Sequence, residues 1–238
     1  MANALKNFNV IITGGTGSLG REITAEFIKY GATVYTNYRT AQKFEDLKKF
    51  VPDAKNLAGF EADLTVESQV KDFFRKFEAD FKRLDVFLHI MGGFWMGGEI
   101  ADTPVEKWNH MINLNLNSAF LCSREAFRIM KVQCNGKIFT VSTKNAEEFP
   151  AKMGAYSISK AAVTALTRIL ANEGKAYDIH ANCLLPSVID TSANRKAMPD
   201  ADRSAWVTPK EIADLLVQLC RPEIKSLSHS NLKVYGKL

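Results

Sequence analysis

Tyr156 and Lys160 stand four residues apart in the run Tyr156-Ser157-Ile158-Ser159-Lys160, and the hydroxyl of Thr143 comes thirteen residues earlier. Residues at that spacing share one face of a helix, so an ammonium is placed beside a phenol. A free tyrosine titrates near ~10, and a neighbouring cation favours the phenolate. The pair is therefore expected to draw the phenol toward neutrality and make Tyr156 an acid/base usable at cellular pH. Thr143 offers a hydroxyl to the same centre; Ser142 is next to it, and the sequence leaves open which of the two is used.

A second constellation lies near the start, Thr13-Gly14-Gly15-Thr16-Gly17-Ser18-Leu19-Gly20. It follows the apolar run Phe8 to Thr13 and opens a helical pattern with Ile23, Phe27 and Ile28. Gly15-x-Gly17-x-x-Gly20 in that context fits a dinucleotide fingerprint. The glycines permit a tight turn, and the helix N-terminus offers free N–H groups to a pyrophosphate. Gly14, Gly15, Thr16, Gly17, Ser18, Leu19 and Gly20 are thus expected at a cofactor. After the second predicted strand, where a carboxylate would bind the ribose of NAD, the chain has Tyr38, Arg39 and Thr40. A guanidinium there suits a 2′-phosphate, so NADP(H) is favoured over NAD(H). Asp63, after the third strand, is either a partner for the adenine amino group or a loop cap.

The elements that must hold these groups read as one α/β domain over 1–238. Predicted strands Phe8–Thr13, Thr33–Asn37, Asn56–Ala62, Asp85–Ile90, Lys137–Val141, His180–Leu185 and Leu232–Tyr235 alternate with helical patterns. The helices are Arg21–Tyr30, Ala41–Phe50, Val66–Phe81 with Thr65 as N-cap, Trp108–Lys131, Ala155–Lys175 and Pro209–Cys220. Such alternation implies βαβ units, a parallel sheet and right-handed crossovers. Ligands then sit beyond the carboxyl ends of the strands, where Gly14, Gly92, Thr143 and Pro186 fall.

Lys plus Arg number 31 against 26 Asp plus Glu, a net charge of +5. The excess is scattered rather than focused on one face, so nucleic-acid binding is not expected. Cys122, Cys134, Cys183 and Cys220 form no metal-ligand or CxxC spacing, and no metal is expected. Met1 to Asn9 lacks an apolar signal core, and no run approaches a membrane span. A soluble, reduced, cytoplasmic setting is the expectation.

With these residues assembled, the chain resembles the short-chain dehydrogenase/reductase family over essentially its whole length. The likeness rests on TGGTGSLG (13–20), Asp63-Leu64, Asn115 in NLNSAF, VST (141–143), YSISK (156–160) and the segment from Asn182 to Thr191. It implies a single-domain, Rossmann-like, doubly wound parallel sheet flanked by helices, a homodimer or homotetramer, and NAD(P)(H) as hydride carrier. It further implies that Tyr156 is the acid/base, that Lys160 also binds the nicotinamide ribose, that Thr143 polarises the reacting group, and that Asn115 holds a water in a proton relay. Leu64, Gly92, Pro186 and Val188 join the cofactor set on the same ground. The chain departs from the family where Asn-Asn-Ala-Gly is replaced by His89-Ile90-Met91-Gly92. His89 reads as a packed, hydrogen-bonded residue rather than a catalyst.

Gly92 to Gly98 and the stretch from Leu185 to Trp206 are similar to quinonoid dihydropteridine reductase, and the second covers a substrate lid at about 187–207. The Thr143 hydroxyl and Arg39 both depart from that branch. Phe94, Trp95, Met153 and Trp206, with Met96 and Phe149, are expected near the mouth of the site. They suit either a flat small-molecule substrate or the packing of the lid itself. The favoured reading is hydride transfer to a carbonyl or quinonoid/imine substrate. The alternatives are a dihydropteridine reductase proper and a dinucleotide-binding sensor or scaffold without catalysis.

Overall fold

The computed structural model describes residues 3–237. The reading of the N-terminus falls partly on residues 1–2, outside the described residues. Seven strands, β1 (Asn9–Thr13), β2 (Thr33–Tyr38), β3 (Leu57–Glu61), β4 (Val86–His89), β5 (Gly136–Val141), β6 (Ile179–Pro186) and β7 (Asn231–Val234), form one sheet in the order β3-β2-β1-β4-β5-β6-β7. Every neighbouring pair is parallel. The order reverses between β1 and β4, which leaves a crevice at their carboxyl ends.

Strand residues alternate between two apolar layers. Val10 and Ile12 of β1, Val86 and Leu88 of β4, and Phe139 and Val141 of β5 point to one face. There they meet Ile23 and Phe27 of α1 (Ser18–Lys29), Phe44 and Leu47 of α2 (Ala41–Phe50), and Ile212 and Leu216 of the last helix, Pro209–Cys220. Ile11, Phe87 and Ile138 point the other way. They are covered by Phe73, Phe74 and Phe77 of α3 (Glu67–Asp80) and by Ala126 and Met130 of the helix Ser118–Gln133. Leu170 and Ala171 of the helix Gly154–Gly174 complete that layer. Burying each large side chain contributes about 1.5–3 kcal/mol, so these two layers rather than local propensity hold the helices on the sheet.

Two expectations about helices need correction. The pattern expected as one helix over Trp108–Lys131 runs from Val105 to Gln133 and is not uniform. It consists of α4 (Val105–Met111), a π-helical turn (Ile112–Asn117) and α5 (Ser118–Gln133). A π turn accommodates an extra residue and is frequent at functional sites; here it carries Asn115. The N-cap of α3 is Val66, not Thr65. Thr65 gives both its N–H and its hydroxyl to Asp63 Oδ1, at 2.9 and 2.7 Å. The remaining helices are α6 (Asn145–Glu148), α7 (Gly154–Gly174), α8 (Ser192–Ala197) and α9 (Pro209–Cys220). No helix among the described residues is long and apolar enough to cross a membrane.

The glycine turn joins β1 to α1. Gly14 adopts φ +74°, a region that side-chain-bearing residues rarely enter. Gly20 lies so close to the turn that a Cβ there would be driven into the Gly14 carbonyl oxygen. Gly17 has an ordinary φ of −79°, and a Cβ on it would meet only Gly14 O, at 3.3 Å. Gly20→Ala is therefore expected to lower stability by about 1–3 kcal/mol through overpacking, whereas Gly17→Ala should fold nearly as well as the parent. Urea unfolding of the two variants checks this; equal losses would refute the packing argument.

Candidate active site

Polar side chains at the end of β2 fix the glycine turn. Gly15 N–H donates to Thr36 Oγ1 at 3.1 Å, and that hydroxyl donates to Ile12 O at 2.6 Å. Gly14 N–H donates to Asn37 Oδ1 at 2.9 Å, while Asn37 Nδ2 reaches Ala62 O at 3.3 Å. These two residues escaped the sequence reading, although Thr36-Asn37 in the otherwise apolar VYTNY was a usable signal. Gly17 ends the turn in extended backbone with no side-chain cap on α1, and the first turn of α1 has no acidic residue. The N–H groups of Ser18, Leu19 and Gly20 thus open an anion-binding end. Thr16 is half-buried beside them.

A contact chain leads from this turn to the expected catalytic residues. A Cβ on Gly14 would touch the Met91 backbone at 3.2 Å, and a Cβ on Gly92 would meet Lys160 Nζ at 2.8 Å and Asn115 Oδ1 at 2.9 Å. Asn115 Oδ1 accepts the Gly93 N–H at 2.8 Å, and its Nδ2 donates to Ser159 Oγ at 2.9 Å. Ser159 in turn donates to the Tyr156 carbonyl at 2.7 Å. The π turn thereby locks the loop after β4 to the first turns of α7. The Thr143 hydroxyl faces the Tyr156 phenol. Ser142 is spent elsewhere, donating to Lys160 O at 2.8 Å. Of the two adjacent hydroxyls, Thr143 is the one that acts on the phenol.

The electrostatics differ from the expectation that Lys160 would acidify Tyr156. Lys160 Nζ donates to Val141 O at 2.9 Å, at the end of β5. Burial raises the Tyr156 phenol above its ordinary value, with the Thr143 hydroxyl opposing. Burial also lowers Lys160, to about 8. Desolvation is the largest influence on both groups, and neither shift owes anything to the other residue's charge.

His89 is fully enclosed. Ser118 Oγ donates its one proton to Leu114 O at 2.6 Å, so it accepts from His89 Nε2 at 3.3 Å. His89 Nδ1 then accepts from Thr13 Oγ1 at 3.0 Å. Burial, and secondarily the charge of Lys160, push the imidazole down to about 3. It is a neutral strut joining β1 to α5 beneath the site, in agreement with its reading as a packed residue.

The remaining expected residues divide. Arg39 is exposed and makes no ion pair among the described residues, and its charge reaches Asp63. Asp63 caps its loop through Thr65, which holds its carboxyl below the usual range. The Leu64 side chain is fully buried in the α3 layer, which leaves its backbone to border a ligand. Pro186 O accepts the Lys144 N–H at 2.9 Å and Val188 O accepts the Val207 N–H at 3.0 Å, tying the start of the 187–207 segment to the site. Phe94 packs edge-on to the Tyr156 ring at 4.9 Å between centroids. Met153 precedes α7, and its Sδ accepts from Asn145 Nδ2 at 3.3 Å. Trp95 folds back over Gly97. Trp206, expected at the mouth, is only 7 % exposed; it packs inward beneath the turn Arg203–Ala205.

Two hollows of about 290 and 280 Å³ lie at the opposite end of the sheet, beside Asp85, Lys137, Asp178 and His180. Several of their polar groups already have partners: Asp85 pairs with Arg83, His180 with Asp178, and Lys137 with the carbonyls of Leu219 and Arg221 at the end of α9. Among the described residues no cluster of His, Cys, Asp and Glu could hold a metal, and the four cysteines are free.

A family model for the short chain dehydrogenase matches residues 9–202. An uncharacterized oxidoreductase, YxjF of Bacillus subtilis (strain 168), is 26% identical over 95% of this chain and 88% of its own length. An NADPH-dependent aldehyde reductase-like protein, chloroplastic, of Arabidopsis thaliana is 32% identical over 76% of this chain and 72% of its own. Among solved structures, ElxO with NADP bound superposes with a TM-score of 0.91 at 24% identity, covering 96% of this chain and 97% of that one; at that identity it speaks for the fold. The likeness to quinonoid dihydropteridine reductase rests on the two stretches alone. With the family match over most of its length and the sheet order, glycine turn and Tyr156–Lys160 pair described above, the chain belongs to the short-chain dehydrogenases and is an oxidoreductase of that family.

Proposed function

We propose that this oxidoreductase reduces a carbonyl or imine-like carbon with NADPH, with Tyr156 supplying the proton. The observation that carries the reading is the convergence of the Tyr156 phenol, the Thr143 hydroxyl and the buried Lys160 beside the glycine turn. When bound, the reduced dinucleotide supplies the hydride. The residues fit such a group: glycines leave room for close approach, and an uncapped helix end faces the crevice. Asp63, Leu64 through its backbone, Gly92, Pro186 and Val188 would border it. A small-molecule substrate would place its oxygen or nitrogen between Tyr156 and Thr143. Burial keeps the phenol protonated at neutral pH, the state needed to donate a proton as the carbon is reduced. Asn115 and Ser159 hold the first turns of α7, and hence Tyr156, in place. The 187–207 segment would act as a lid that excludes water.

Preference for NADPH is supported by the unpaired Arg39 and by the NADPH named for the Arabidopsis relative. A homodimer or homotetramer in the cytoplasm accompanies this reading, with exposed Phe120 of α5 and Ile169 of α7 as apolar contacts for pairing. A sensor or scaffold without catalysis would have no use for a proton-donating pair.

Tyr156→Phe should lower kcat about 10²–10⁴-fold while NADPH still binds, as read by steady-state kinetics and nucleotide fluorescence; undiminished turnover would refute the role. Arg39→Ala should lose a charge-assisted contact of about 1.5–3 kcal/mol, raising the KM for NADPH at least tenfold with the KM for NADH unmoved. Equal changes for both nucleotides would show that Arg39 does not read the 2′-phosphate. Lys160 carries a linkage signature too. Its native value near 8 lies below the unfolded 10.5, so its own contribution to stability rises with pH between those values, while the thiols of Cys122, Cys183 and Cys220, raised by burial, contribute in the opposite direction. Lys160→Met should therefore make stability fall more steeply, or rise less, than in the parent between pH 7.5 and 10 in urea titrations, and should be more stable than the parent at the lower pH.

A further inference from the structure

Among the described residues Tyr156 has one aromatic neighbour, and it is exposed. Phe94 meets the Tyr156 ring edge-on, with centroids at 4.9 Å and planes at 76°, yet 59% of it faces water. Met96 on the same loop and Phe149 on the loop before α7 are also mostly exposed. A bond from Gly97 N to Lys152 O, 3.0 Å long, joins the two loops, and a Cβ on Gly154 would meet Ile100 Cδ1 at 2.6 Å. Phe149 is held at φ +48° and Lys152 at +65°, a conformation that is an outlier for a bulky residue. Neither the strain nor the exposure of Phe149 stabilises the fold. Strain of this kind concentrates at ligand sites, and contiguous exposed apolar surface marks binding surfaces.

We infer that Phe94, with Met96 and Phe149, forms a specificity wall that selects carbonyl substrates bearing an aryl group directly on the carbonyl carbon. The inference rests on the reductase reading. A carbonyl oxygen held by the Tyr156 phenol brings its first substituent against the ring packed on that tyrosine, which is Phe94. A flat ring there completes the edge-to-face arrangement and covers the exposed apolar surface, whereas a methyl group leaves Phe94 wet. The segment from Gly92 to Gly98 contains no charged residue, so the Phe94 loop itself offers nothing to balance a carboxylate on the aryl ring. The reaction is the one proposed above: the C=O group becomes CH–OH, its carbon taking a hydride from the reduced dinucleotide, which leaves oxidised, and its oxygen taking the Tyr156 proton.

The test is kcat/KM for benzaldehyde, acetaldehyde and 4-carboxybenzaldehyde, followed as NADPH oxidation. Covering a phenyl ring should favour benzaldehyde over acetaldehyde about 10–150-fold, and the anionic aldehyde should fall below benzaldehyde. Phe94→Ala should lower the benzaldehyde-to-acetaldehyde ratio about tenfold, and Phe94→Leu should restore part of it, with NADPH fluorescence confirming that both variants are folded. Acetaldehyde turnover equal to that of benzaldehyde, or a ratio unmoved in Phe94→Ala, overturns the wall while leaving the reductase reading intact. Failure to oxidise NADPH with any of the three overturns both.

Discussion

The crevice exists because β1 and β4 are neighbours whose onward connections leave in opposite directions. Two loops therefore part at one edge, and backbone without side chains meets across the gap: Gly14 lies against Met91, and Gly92 against Lys160 and Asn115. Side chains at these contacts would fill the space in which a flat cofactor can lie. The sheet is buried on both faces, as all-parallel sheets are, so this end of it is where a ligand reaches strand ends from several elements at once.

Burial then determines the chemistry of the side chains gathered there. Lys160 is a cation inside the protein whose ammonium donates to the carbonyl of Val141, and desolvation lowers it to about 8. The same desolvation keeps Tyr156 protonated and His89 neutral. An imidazolium under Lys160 would set two cations against each other in low dielectric. As a neutral group, His89 instead uses both ring nitrogens to hold Thr13 and Ser118. Polar residues under the site are thus consumed in positioning, which leaves the Tyr156 phenol and the Thr143 hydroxyl for the role proposed above.

Much of this was legible in one dimension. The strand runs were located within one or two residues of their observed ends, because apolar runs buried on both faces have few ways to fit. Glycine spacing and the Tyr156–Lys160 interval are local, and backbone geometry alone gives them meaning. The π turn at Ile112–Asn117 escaped because its apolar pattern resembles that of an ordinary helix. Thr65 is not the cap because its hydroxyl turns back to Asp63, and that local alternative is invisible in the sequence.

By itself the amino-acid order determined the element sequence, the parallel sheet, the glycine turn and the family, since each is written in residues close together in the chain. Only the tertiary structure decided that Thr143 rather than Ser142 faces the phenol, that Leu64 and Trp206 turn inward, and that Phe94 rests on Tyr156. It also decided the direction of each pKa shift, because desolvation depends on what surrounds a group from every side. That enclosure comes from elements distant in sequence, such as Val141 above Lys160 and Ser118 beside His89.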